Sequence, residues 1–210
     1  MWYLVVLAAV CSYLLGNLNG AVIVSSVFAH DDVRTHGSGN AGLTNFVRNY
    51  GSQTALLVIA IDMGKAIIAC LGSGLLIALA TRYSYADGVA IGGLFVILGH
   101  VFPALLGFRG GKGILSGVTV ALMLDWRIGL IVFAIFLAAY LLTKYVSLGS
   151  VLSAGSFGFF YAGFHWNEGI FPILVGFFLS GLVVWMHRAN IVRLIKGEER
   201  KTNLFGKGRK

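Results

Sequence analysis

The sequence predicts an all-α integral membrane protein: a bundle of seven transmembrane helices, some of them short, with the amino terminus outside and the carboxyl terminus cytoplasmic. Three observations lead there. The chain is 58% hydrophobic and only 11% charged, where a soluble domain carries about 25% charged residues, and its mean hydropathy is +0.85. Its apolar residues gather in seven stretches separated by polar segments. Its Lys and Arg residues fall almost wholly between alternate stretches, the pattern that retained cytoplasmic charge produces.

The first stretch, residues 2–28, lacks a basic leader and is longer than the roughly 7 to 15 apolar residues of a signal peptide, so it is predicted as a retained first span. Residues 54–80 and 86–106 follow as full-length spans. The next two, 114–124 and 128–142, have eleven and fifteen residues, short of the roughly 17 to 25 that a crossing needs. A bent pair, a re-entrant element and two short helices all fit them. Residues 146–164 and 169–186 complete the seven, and a single membrane-embedded domain is predicted over 1–210, with no room for a second.

With seven spans, thirteen basic residues share one side: Arg34, Arg48, Arg109, Lys112, Lys144 and eight of the tail, Arg188, Arg193, Lys196, Arg200, Lys201, Lys207, Arg209 and Lys210. Only Arg82 and Arg127 lie opposite, and Lys65 falls inside a span. If 114–142 did not cross as two helices, five spans would remain and both ends would keep their sides.

Three segments are richer in glycine and polar groups than connections require, and all fall on the predicted cytoplasmic side: HGSGNAGLTNFVRNYG (36–51), GHVFPALLGFRGGKG (99–113) and HRANIVRLIKGEERK (187–201). A basic tail alone does no more than attract anionic headgroups, at roughly 1 kcal/mol per charge. Three such segments on one face point to a site for anions. In the second, Gly110, Gly111 and Gly113 let successive amides turn toward one point while Lys112 adds a compact charge. A helix starting at Gly113 or Ile114 would add its positive end. In the first, Ser38, Asn40, Thr44 and Asn45 are neutral hydrogen-bonding groups, and Arg48 can fork onto phosphate oxygens. A helical turn there would put Thr44 and Asn45 on the face of Arg48. In the tail, His187 and Asn190 share the same spacing, with Arg193 following. Asp62 and Lys65 are charges within a span, spaced for a structural ion pair, with a direct role at the site as the other reading. His100 and Pro103 end the third span as cap, kink or catalytic group, and Ser147 and Ser150 offer hydroxyls in the fifth loop.

Several chemistries are excluded. Cys11 and Cys70 sit in separate apolar runs, so neither a disulfide framework nor zinc spacing is suggested. Lys112 is followed by Gly113 rather than Ser or Thr, which rules out a nucleotide P-loop. No histidine has an aspartate five residues on, no Gly-x-Ser-x-Gly elbow is present, and the eight acidic residues form no metal-binding cluster.

With these residues assembled, the chain resembles the bacterial acyl-phosphate:glycerol-3-phosphate acyltransferases, the PlsY family, along essentially its whole length. The resemblance rests on GSGNAGLTNFVR (37–48), GHVFPALLGFRGGKG (99–113) and HRANIVRLIKGEE (187–199), with DMGK (62–65) and SLGS (147–150) as lesser landmarks. Departures are Leu43, where Ala is common, and Ile114-Leu115-Ser116, where Val-Ala-Thr is common. The resemblance implies transfer of a fatty acyl group from acyl phosphate to the sn-1 hydroxyl of glycerol 3-phosphate, giving lysophosphatidic acid and phosphate in the first acylation of phospholipid biosynthesis. It further implies Lys112, His187, Asn190 and Ser38 at the reacting atoms. Gly39, Asn40, Thr44, Asn45, Arg48, Gly110, Gly111, Gly113 and Ser150 would hold substrate, and Asp62, Lys65, His100, Ser147 and Arg193 would support them. Lys112 and the glycine amides would stabilise the departing phosphate and oxyanion. His187 would act as base or, if it stays protonated, as a cation that leaves the proton to a substrate phosphate.

The expected partners are glycerol 3-phosphate, long-chain acyl phosphate and membrane lipid, with no cofactor, metal, nucleic acid or obligatory protein partner. The expected location is the bacterial cytoplasmic membrane, with the site on its inner face. The alternative is a transporter or exchanger of phosphate esters, since buried charges and broken helices also line translocation paths. The absence of an inverted repeat and the crowding of the motifs on one face speak against it.

Overall fold

The computed structural model describes residues 1–202, and among these the chain is helical with no strand. Lys207, Arg209 and Lys210 of the basic tail lie outside the described residues. The helices are α1 (Trp2–Gly16), α2 (Gly20–Ala29), α3 (Leu43–Tyr50), α4 (Ala55–Ala80), α5 (Tyr85–Val101), α6 (Ile114–Leu124), α7 (Trp126–Thr143), α8 (Val146–His165), α9 (Ile170–Met186) and α10 (Arg188–Ile195). Five candidate spans are long and apolar enough to cross a bilayer: Trp2–Ala29, α4, Tyr85–Leu106, α7 and α8. A sixth is α9 taken with α10, which turns 57° from it, and α6 is a shorter apolar helix.

Several features differ from the sequence expectation: the α-helix of the 86–106 stretch ends at Val101, ahead of Pro103, and three others have local reasons. The 2–28 stretch is two helices, because Asn19 leaves the helical path and its Oδ1 accepts from Val22 N (3.0 Å) to start α2. The 128–142 stretch begins two residues earlier, where the Asp125 carboxylate accepts from Arg127 N (2.8 Å) and starts α7 at Trp126. Ser147 and Ser150, expected in a loop, belong to the first turns of α8.

The break between α1 and α2 strands carbonyls inside an apolar bundle, where unpaired backbone groups are costly. Lys65 of α4 answers them, donating to Gly16 O (3.2 Å) and Leu18 O (2.7 Å). Its charge is met by Asp62 Oδ1 at 2.8 Å, and Asp62 in turn accepts from Gly20 N at 3.1 Å. His100 Nδ1 of α5 lies 2.8 Å from Lys65 Nζ and joins the same buried cluster. The buried pair therefore braces the first span against the second and third.

The main core joins α4, α5, α6, α7, α8 and α9 through residues such as Ala69, Val89, Ile97, Val120, Ile128, Phe157 and Leu179. A smaller one, Ala21, Val24, Val33, Phe46 and Val58, fastens the first loop and α3 onto α2 and α4. Close helix approach depends on small residues, as between helices that lack a solvent-driven attraction. A Cβ on Gly99 of α5 would lie 2.1 Å from Tyr13 O of α1. Large apolar side chains point outward, Leu79 at 84% and Leu142 at 86% exposure, as a lipid-facing surface requires. At one end of the bundle Asp125 also accepts from His165 Nε2 (2.8 Å), clamping the α6–α7 turn to the end of α8. The three polar segments meet at the other end.

Candidate active site

The glycine-rich loop runs from α5 into α6 and lies on the His100 network. Gly111 N donates to His100 O (3.1 Å), and a Cβ on Gly111 would lie 2.1 Å from His100 Nε2 and 2.9 Å from Ala41 O. Only glycine fits between those groups, so the loop's path is fixed by the buried pair beneath it. Gly113 is the N-cap of α6, and no side chain caps that helix end. Its first amides remain available to an anion. Of the expected amide cradle, the Gly111 N–H is already committed.

The first loop folds around Asn45. Its Oδ1 accepts from Ser38 N (3.0 Å), and its Nδ2 donates to Val33 O and His36 O (both 3.0 Å). Asn45 therefore organises the loop with the groups expected to touch substrate. Ser38, Asn40 and Thr44 make no side-chain hydrogen bonds among the described residues, which leaves their polar atoms open. The loop is pinned at two further points: Asn19 Nδ2 donates to Ala41 O (2.9 Å) and Arg34 Nη1 to Leu106 O (2.8 Å).

The third segment closes the arrangement. Lys112 Nζ donates to Asn190 Oδ1 of α10, joining the second motif to the third. Asn190 Nδ2 donates to Glu199 Oε1 (2.9 Å), and Arg193 Nε donates to Glu199 Oε2 (2.7 Å). Ser147 is buried and its Oγ faces the same carboxylate without completing a hydrogen bond. Arg48 of the first motif reaches this tail too, with Nε donating to Thr202 Oγ1 (2.9 Å) and Nη2 to Arg200 O (3.0 Å). Ser150 points its hydroxyl at Val146 O (2.9 Å) of its own helix, so it is not turned to the cluster.

Lys112, Arg48 and Arg193 are close enough to act on one another electrostatically, with Glu199 the carboxylate among them. Burial lowers the Lys112 ammonium to about 8, helped by Arg193 and Arg48 and opposed by Glu199. Burial tends to raise Glu199, but hydrogen bonds from Asn190 and Arg193 outweigh it and hold the carboxyl below its ordinary value. Burial also pushes Arg48 down from its usual value. His187, at the junction of α9 and α10, is brought down to about 4, mainly by burial and also by Lys112. Its Nδ1 lies 2.8 Å from Val183 O. A carbonyl only accepts, so Nδ1 carries the hydrogen and Nε2 presents a lone pair. The cluster thus combines excess positive charge, a neutral imidazole acceptor and an uncapped helix end. No group of three His, Cys, Asp or Glu side chains suited to a metal ion occurs among the described residues.

Sequence reasoning missed Glu199 and Thr202. Glu199 stands in the quoted GEE run of the third motif, where the sequence shows two adjacent acids that form no metal-binding cluster and names no partner for them. Only the return of the tail over α8 and α10 reveals Glu199 as the carboxylate shared by Asn190 and Arg193.

Comparison with known proteins identifies the family. The glycerol-3-phosphate acyltransferase family model matches residues 6–197. The glycerol-3-phosphate acyltransferase of Prochlorococcus marinus (strain MIT 9215) is 40% identical over 202 residues, covering 94% of this chain and 98% of that one. The same-named protein of Clostridioides difficile (strain 630) is 40% identical over 199 residues, covering 93% and 94%. The crystal structure of PlsY, an integral membrane glycerol 3-phosphate acyltransferase, in its glycerol 3-phosphate form superposes with a TM-score of 0.84 at 28% identity, covering 95% of this chain and 96% of that one. Its lysophosphatidic acid form gives a TM-score of 0.81 at 26% identity, with the same coverage. With its three motifs gathered at one end of a helical membrane bundle and matches running over nearly its whole length, this chain belongs to the glycerol-3-phosphate acyltransferase family, the PlsY family.

Proposed function

We propose that this chain transfers a fatty acyl group from a long-chain acyl phosphate to the sn-1 hydroxyl of glycerol 3-phosphate, releasing lysophosphatidic acid and phosphate. It works as a single domain crossing the cytoplasmic membrane seven times, with its amino terminus outside and the motif end of the bundle at the cytoplasmic face. The observation that carries the reading is the joining of Lys112, Asn190, Arg193 and Arg48, from all three motifs, around one carboxylate. Both substrates bear phosphate near −2, and like charges repel unless cations stand between them. A site with this charge can hold both anions.

In the reaction, the glycerol hydroxyl oxygen attacks the acyl carbonyl carbon. The carbon–oxygen bond to phosphate then breaks, and phosphate leaves with the electron pair. Lys112 and the free amides at the start of α6 stabilise the oxyanion and the leaving group. Ser38, Gly39, Asn40 and Thr44 line the open side of the first loop, and Arg48 grips a phosphate. His187 Nε2 accepts the hydroxyl proton or orients it toward a phosphate oxygen. Acyl phosphate is a mixed anhydride with a good leaving group, so direct attack suffices without a covalent enzyme intermediate. A small, partly open apolar cleft lined by Ile97, Ile114, Gly117, Val132, Phe157 and Leu179 offers the acyl chain an apolar entry beside α6. Ile114 places it two residues from Lys112.

The transport alternative drew on Asp62 and Lys65 as charges at depth, and these neutralise each other and serve the α1–α2 break. The test supplies the detergent-purified chain and labelled glycerol 3-phosphate with palmitoyl phosphate, palmitoyl-CoA or acylated carrier protein, each separately. Lysophosphatidate is expected from palmitoyl phosphate alone and is lost in Lys112→Ala. Product from another donor would overturn the donor assignment. Product from none would revive transport, which uptake into sealed vesicles then measures.

A further inference from the structure

We infer that Thr202 is a positioning residue for Arg48, holding its guanidinium so that Nη1 faces the substrate anion. The inference rests on the acyl-transfer reading above. Threonine close to a chain end is ordinarily solvated, yet Thr202 is only 5% exposed. Its backbone is held on both sides: Thr202 N donates to Lys144 O (3.1 Å), and the Tyr140 hydroxyl donates to Thr202 O (3.2 Å). Lys144 and Tyr140 belong to the end of α7 and the turn after it, so the bracket is anchored to the bundle.

From that anchor, Thr202 Oγ1 accepts from Arg48 Nε (2.9 Å) and also from Nη2, while Arg200 O accepts from Nη2 (3.0 Å). A guanidinium has five N–H donors in a fixed plane. Holding Nε and Nη2 fixes that plane, and Nη1 has no acceptor among the described residues. The open Nη1, with its two N–H donors, is the group a phosphate oxygen would meet. A long flexible side chain held this way loses less freedom when the anion arrives. Lys144 lies more than fifty residues from Thr202 and Arg48 more than a hundred and fifty, so the arrangement depends on the tail returning to the bundle.

Thr202→Val keeps the shape and removes the acceptor, whereas Thr202→Ser keeps the acceptor. The assay is steady-state acyl transfer in detergent with palmitoyl phosphate and varied glycerol 3-phosphate, together with thermal unfolding of each protein. Thr202→Val is expected to raise KM for glycerol 3-phosphate about tenfold, as for a lost hydrogen bond to a charged group, with kcat changed by no more than about twofold. Thr202→Ser should restore KM to within about twofold of wild type. An unchanged KM in Thr202→Val would overturn the inference, as would serine and valine proteins losing kcat together with thermal stability. Should Thr202→Val fail to accumulate, Thr202→Ala takes its place in the same assay. Failure of both, with Thr202→Ser normal, would assign Thr202 to the fold instead. A wild-type protein silent with palmitoyl phosphate would defeat the acyl-transfer reading itself, an outcome distinct from any of these.

Discussion

Lys112 and His187 carry opposite consequences for pH, because burial acts on both but only one must be charged. In the proposed reaction Lys112 would stabilise phosphate as the ammonium, and in the empty site it loses its proton as pH rises through about 8. His187 titrates near 4, so it is neutral across the working range and contributes no acid limb there. The phosphate of glycerol 3-phosphate has its second pKa near 6. The profile of kcat/KM, which reports the free enzyme and free substrate, should therefore rise around pH 6 with the substrate and fall above about 8 with Lys112. Lys112→Arg should lower the plateau, since the contact with Asn190 is shaped for an ammonium, and abolish the alkaline fall because guanidinium stays charged. His187→Gln should cost about 100- to 10,000-fold if the imidazole takes the proton, and keep the limb near pH 6. A limb that disappears in His187→Gln would assign it to the histidine and contradict its low pKa. Near-normal turnover with a raised KM would sink the base role.

Most helices were legible as apolar runs, and the exceptions show what a run of residues cannot carry. The 2–28 stretch reads as continuous because Asn17 and Asn19, like Ser12, Ser25 and Ser26, are scattered among many apolar residues and none is charged. The break exists because partners distant in sequence stabilise it. Leu105 N donates to Asn17 Oδ1 (3.0 Å), and Asp62 and Lys65 satisfy the groups that the interruption frees. Asp62 and Lys65 were visible as costly charges within a span, but whether they paired or faced substrate depended on α1, α2 and α5. Removing one member of a buried pair leaves the other uncompensated, at about 3 to 5 kcal/mol. Asp62→Ala should therefore lower thermal stability in detergent by that order, and Lys65→Met likewise, while the double variant should lose less than the sum of the two. Additive losses would mean that the two side chains act independently and would remove the bracing role. The site motifs were legible for a different reason. Glycine and hydrogen-bonding residues in an apolar chain stand out wherever they fall, whereas Glu199 and Thr202 acquire meaning only through a tail that returns to α7, α10 and Arg48.

At the scale of the molecule the decisive element is α6. Eleven residues at 1.5 Å each span about 16 Å, roughly half of a hydrocarbon core about 30 Å thick. If α6 is the fourth of seven crossings, its Asp125 end, clamped to Arg127 and His165, lies at the outer face, and Lys112 at its other end is sunk well below the cytoplasmic surface. That depth suits the chemistry, since a water-soluble acceptor would reach a carbonyl that travels in the membrane. The Gly110–Gly113 end of the loop is packed against protein, a Cβ on Gly110 meeting His100 O at 2.0 Å and one on Gly111 meeting His100 Nε2 at 2.1 Å, which is where irregular backbone is tolerated. Five crossings would instead leave the α6–α7 turn on the cytoplasmic side. Trp126, 65% exposed and next to Asp125, separates the two counts. In a cysteine-free background, Trp126→Cys should react with a membrane-impermeant thiol reagent in intact cells. Glu168→Cys, outside on either count, serves as the positive control, and Lys196→Cys, cytoplasmic on either count, should react only after permeabilisation. If Trp126→Cys labels with Lys196→Cys instead, α6 and α7 do not cross separately, and the recessed site is replaced by one at the membrane surface.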